Sequence, residues 1–133
     1  MKHVFILPVL ALIAVIPCRG QMNAEESTAG LVQACEMAVL FPTLEAVKKA
    51  PAMEQAQDAF LAARCLGYFA GMLDLNSIYA GGFQTYFCPP KDFPKIEAVK
   101  IFLKYVTDHP NFMKEEARSI ALSSLADVLP CVR

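Results

Sequence analysis

Beyond its first twenty residues the chain holds four cysteines, one histidine and thirteen carboxylates. These are the side chains that could carry covalent or acid–base chemistry. The cysteines, Cys35, Cys65, Cys88 and Cys131, contain no Cys-x-x-Cys pair, and His109 is the only imidazole among residues 21–133. That spacing argues against zinc. Nucleophilic catalysis needs an activated nucleophile with a base in reach. Cysteines joined as disulfides offer no thiolate. His109, followed by Pro110 in a turn, reads as a capping or surface residue rather than a base. Paired carboxylates could serve glycoside hydrolysis. Asp74 and Asp92 are the candidates, because they flank an aromatic-rich connection. Each has a simpler role: Asp74 as a buried, hydrogen-bonded carboxylate, Asp92 as a helix cap. Gly81-Gly82 is an isolated pair, not a phosphate loop. The expectation is therefore a protein with no catalytic residues, no metal and no cofactor.

The connection itself is the best candidate for function. Tyr79, Phe83, Tyr86 and Phe87 fall within nine residues, around Gly81-Gly82. Phe87 suits the core beneath a Cys88 bridge. Tyr79, Phe83, Gln84 and Tyr86 suit an exposed edge, since aromatics on a rigid scaffold make good anchors for a binding partner.

The elements that would position these residues follow from the chain in order. Lys2 and His3 precede an apolar run from Val4 to Pro17, too short to span a bilayer, which takes about 20 residues. A basic start, an apolar middle and small residues at Cys18 and Gly20 have the shape of a secretory signal. Cleavage is expected after Gly20, leaving residues 21–133 as one domain, with no membrane attachment afterwards. A lipid anchor on Cys18 would want small residues before it, where Val15-Ile16-Pro17 stand. Lys2 and Arg19 leave with the signal and no acid does. Ten basic residues then face thirteen acidic ones, for a net charge of −3. A mildly acidic chain has no basic face for nucleic acid.

Ser27 or Thr28 can cap a first helix carrying Leu31, Cys35 and Ala38 on one face, with Gln33 and Glu36 off it. Thr43 could cap a short turn between Pro42 and Pro51. A central helix runs from about Glu54 to Tyr79. Its apolar residues appear on every side, which is the pattern of a helix wrapped by others. Leu61, Cys65, Tyr68, Met72 and Leu75 form a bulky stripe. Ala63, Gly67, Ala70, Gly71 and Asp74 form a small-residue face, expected to meet another backbone closely. Asp92 caps a third helix bearing Ile96, Val99, Leu103 and Val106, with Lys95, Glu97, Lys100 and Lys104 outward. After His109-Pro110 a fourth helix bears Ala117, Ala121, Ser124 and Val128, and Pro130 ends it. The fold class is all-α, a small four- to five-helix bundle around a central apolar helix, stapled by two disulfides.

An even cysteine count in an exported chain implies two disulfides with three possible connectivities. The short His109-Pro110 connection makes helices three and four antiparallel, so the end of helix four returns to the start of helix three. That places Cys131 beside Cys88. Cys65 lies about 21 Å up the central helix from Tyr79, far from Cys88, so Cys35 pairs with Cys65 by elimination.

Several short patterns resemble the Rap/Tai family of type VI secretion system immunity proteins. They are Cys65-x-Gly67-Tyr68-x-x-Gly71-x-x-Asp74, Phe87-Cys88-x-Pro90, Tyr105-x-x-x-His109-Pro110 and Leu129-Pro130-Cys131. They occur in order and with suitable spacing from Cys35 onward. Two departures stand out: Asp92-Phe93-Pro94 opens the third helix, and Asn111 follows His109-Pro110 where Glu is usual. The resemblance implies a helical periplasmic protein, commonly a homodimer. Such a protein binds an incoming peptidoglycan amidase effector and occludes its catalytic cleft, protecting the producing cell. The rival expectation is a periplasmic helical holdase or envelope-stress chaperone, which would bind many unfolded clients weakly.

Overall fold

The computed structural model describes residues 27–40, 51–79 and 85–131. The signal segment, its cleavage point, the turn after Thr43, the Gly81-Gly82 stop, Phe83 and Gln84 all lie outside the described residues. The described residues form four helices: α1 (Thr28–Leu40), α2 (Ala52–Tyr79), α3 (Lys95–Asp108) and α4 (Ala117–Val128). A 3-10 turn, Pro110–Lys114, joins α3 to α4. The described residues contain no strand, and the disulfides join Cys35 to Cys65 and Cys88 to Cys131. The expected fold class and both pairings are met.

α1 is the hub. Ser27 caps it, its Oγ accepting the Gly30 N–H at 3.2 Å, which satisfies one of the donors a helix start leaves open. Leu31, Val32, Ala34, Cys35 and Ala38 are buried, and α2, α3, α4 and the 3-10 turn all pack on α1. Thr28 closes the chain on itself. Its backbone N–H and its hydroxyl both donate to the Glu115 carbonyl at 2.9 Å. Ser27 and Glu116 form an isolated antiparallel bridge. This tie explains a departure from expectation. One continuous fourth helix was expected after Pro110, yet Glu115 and Glu116 are extended. Their backbone is engaged by the start of α1 and is not helical.

α2 buries Ala62, Cys65, Phe69 and Asn76, a row at spacings of three, four and seven that defines one face. The helix is therefore not enclosed on all sides. Phe60, Gly67, Gly71, Leu75 and Ile78 are exposed. The close neighbour expected at the glycines is absent: a Cβ at Gly67 or Gly71 would meet nothing within 4 Å among the described residues. Apolar periodicity marks residues fit for burial, but it does not say whether the cover comes from the same chain. Asp74 is exposed too, correcting its expected burial; it sits on this open face.

Phe69 of α2 and Phe102 of α3 are fully buried, with ring centroids 5.5 Å apart. Each such side chain contributes about 2–3 kcal/mol through removal from water. On α3 the buried row is Ala98, Val99, Phe102 and Val106. Ile96 and Leu103 are only half-buried, so the true stripe is turned by part of a residue from the expected one. Lys100–Glu97 and Lys104–Asp108 pair on the outer face at 2.8 and 2.7 Å, as solvated pairs worth about 0.5 kcal/mol. Asp92 does not cap α3. Pro94 occupies that position with no side-chain cap, and Asp92 turns the chain with φ of 60°. Aspartate enters this left-handed region more readily than most residues, and Pro94 holds Phe93 to extended geometry. On α4, Ala117, Ala121 and Ser124 are buried as expected, with Ile120 and Leu125 beside them. Val128 is exposed, because the helix ends there and its last turn leaves the core.

Candidate partner-binding site

The aromatic connection is pinned to α2 by one side chain. Asn76 is only 5% exposed. Its Nδ2 donates to the Phe87 carbonyl at 2.7 Å. Its Oδ1 accepts the backbone N–H groups of Tyr86 at 3.3 Å and Phe87 at 3.5 Å. A second tie follows, the Cys88 N–H donating to the Leu129 carbonyl at 2.8 Å, and then the Cys88–Cys131 bridge. Phe87 is fully buried, as expected, and anchors the segment in the core. Its neighbour Tyr86 consequently points outward, 58% exposed, and Tyr79 at the end of α2 is 54% exposed. Two of the four residues expected at a binding edge are thus presented on a fixed backbone.

Tyr79 and Tyr86 stand at one end of an apolar groove of about 600 Å³. Its floor is the open side of α2, at Gly67, Gly71, Met72 and Leu75, and its far wall is Arg118 and Leu122 of α4. The groove exists because the two glycines present no side chain there. Sequence reasoning missed Asn76, Arg118 and Leu122. For Asn76 a signal was available: it shares the row of Cys65 and Phe69, seven residues beyond the latter, so a polar side chain there points inward. Nothing comparable marks Arg118, which lies in a polar run.

Tyr68 borders the groove, half-buried. Burial pushes its hydroxyl above the ordinary tyrosine value of 10.0; the Arg118 cation pulls it down and the Glu116 carboxylate raises it. A tyrosine whose folded pKa is raised holds its proton longer in the native state than in the unfolded one. Its contribution to stability is complete below the unfolded value and is lost as pH rises through it towards the folded one. Tyr68→Phe, which cannot ionise, should therefore show a shallower loss of stability above pH 10.0 than the wild type. Tyrosinate absorbance should show Arg118→Gln moving the Tyr68 titration to still higher pH. A downward move would mean that the guanidinium does not act on this hydroxyl.

The other candidates do not assemble. His109 is exposed. Its Nδ1 lies 2.9 Å from the Tyr105 carbonyl, which can only accept, so that nitrogen carries the proton. Its ring packs against those of Tyr105 and Phe112, at 4.6 and 5.4 Å, and these two also stack on each other at 5.9 Å, so it serves as a surface stacking residue closing α3. Asp92 borders a smaller cleft beside Asn76 and Phe87 that does not include Asp74, and both carboxylates are exposed. Among the described residues no three of His, Cys, Asp or Glu come together as a metal site, and no helix is long and apolar enough to cross a membrane.

A small helical scaffold, stapled twice and presenting aromatics beside an apolar groove, is the form of a protein-binding domain. A family model for the Rap1a immunity proteins matches residues 27–131, nearly all of the chain beyond the first helix cap. The chain belongs to that family. No curated protein and no solved structure matches it.

Proposed function

We propose that this chain is a periplasmic immunity protein of a type VI secretion system. It is exported by its N-terminal signal and acts as a homodimer. It binds a peptidoglycan amidase effector and occludes the active site without turning anything over. The observation that carries the reading is the edge at Tyr79 and Tyr86, held rigid by Asn76 and the Cys88–Cys131 bridge. Rigid, exposed aromatics reach into a catalytic cleft at low entropic cost. Family membership supplies the class of partner. Phe83 and Gln84, between these tyrosines in sequence, belong to the same proposed contact.

The test is inhibition of the amidase encoded beside this gene. Wild-type protein should abolish cell-wall cleavage at equimolar ratio. The Tyr79→Ala/Tyr86→Ala variant should bind at least about 100-fold more weakly, as expected when two interface anchors are lost, with an unchanged circular dichroism spectrum. An absence of binding by the wild type overturns the reading. Suppressed aggregation of unrelated unfolded proteins, with no effect on the amidase, would favour the holdase instead.

A further inference from the structure

α2 has a second apolar face directly opposite its core row. At spacings of three and four it reads Phe60, Ala63, Gly67, Gly71, Asp74 and Ile78, and all six are exposed. Phe60 is 65% and Ile78 71% exposed. Large apolar side chains stand at both ends of this strip and small ones in its middle. Two mid-helix glycines weaken a helix, and here no other part of the described structure approaches them.

We propose that a second copy of this chain covers the strip, with α2 packed antiparallel on α2 about a two-fold axis midway between Gly67 and Gly71. The inference rests on the dimer proposed above and names its interface. The strip is self-complementary in that register. Phe60 lies level with Ile78 of the second copy, Ala63 with Leu75, and Gly67 with Gly71. Arg64 lies level with Asp74, so opposite charges meet. A two-fold axis makes each of these matches twice. A parallel pairing would set Asp74 against Asp74. Sliding the antiparallel pair so that Gly67 meets Leu75 would set Arg64 against Ile78. The glycines let the two helix axes approach to the short end of the usual 8–10 Å range. The second α2 would also close the open side of the groove at Met72 and Leu75.

Two variants of the mature protein test this by light scattering and non-reducing gels. Ala63→Cys/Leu75→Cys should form disulfide-linked dimers on mild oxidation, while either single variant should not. Gly67→Leu should raise the dimer dissociation constant at least about tenfold. Its thermal midpoint as a monomer should be retained or raised, because the added side chain meets nothing in the single chain. A dimer unaffected by either change overturns the interface and leaves the dimer reading standing. A wild type that stays monomeric at every concentration overturns both. Loss of amidase binding in Gly67→Leu with the dimer intact would assign the strip to the effector and likewise overturn the proposal.

Discussion

Replacing Asn76 with leucine is expected to destabilise the fold by about 3–5 kcal/mol, measured by urea unfolding. The side chain is buried and serves three backbone groups of Tyr86 and Phe87. Leucine keeps the branched shape but is larger and apolar, so it crowds the site as well as removing the hydrogen bonds. It leaves a buried carbonyl and two N–H groups without their partner, at about 1–3 kcal/mol each when water cannot replace it. The longest of the three contacts counts least. Asn76→Asp should be no better, since it keeps the acceptor but loses the donor and brings a charge into the interior. The same substitutions should weaken effector binding, because the backbone that presents Tyr86 is no longer held. A stability change below about 1 kcal/mol would mean that the Cys88 bridge and buried Phe87 fix the segment unaided.

The second large effect concerns the two disulfides, whose thermodynamic and kinetic ranks should be opposite. The loops they close span 30 and 43 residues. In the chain-entropy model, removing Cys35–Cys65 costs about 3.6 kcal/mol and removing Cys88–Cys131 about 4 kcal/mol. Exchange with a reductant depends instead on access to sulfur. Cys35 and Cys65 are completely buried, whereas Cys88 is exposed. Limited reduction followed by alkylation and peptide mapping should label Cys88 and Cys131 first. Cys35 and Cys65 should label only with unfolding. Equal labelling of all four would contradict a closed α1–α2 core.

The disulfide pairing was legible because helix length and chain reversal are both written in the sequence: residue count sets where each end lies, and His109-Pro110 sets the turn. The buried rows of α1 and α4 were legible for the same reason, as simple periodicity. The open face of α2 was not. Gly67 and Gly71 announce close approach, but only the fold shows that the rest of this chain is elsewhere. Asn76 carries a side chain of a type that most often faces solvent, although its place in the Cys65 and Phe69 row points inward. Asp92 is of a type that suits both a helix cap and a left-handed turn. The choice was made by Pro94, which fixes the helix start and leaves the turn to the residue before Phe93. The exposure of Tyr79 and Tyr86 was legible from aromatic density, and the groove beside them was not, since its far wall comes from α4.

The double hydrogen bond from Thr28 to Glu115 joins positions 87 residues apart, and α1 is the element on which all others pack. The first of the described helices is thus the last to be fully covered. A chain growing from its N-terminus exposes Leu31, Val32 and Cys35 until Ala117 and Ile120 arrive. Loop closure over such a span must come before its contacts are gained. Folding is therefore deferred until almost the entire polypeptide is available, and truncation anywhere before α4 should leave a chain that exposes its centre.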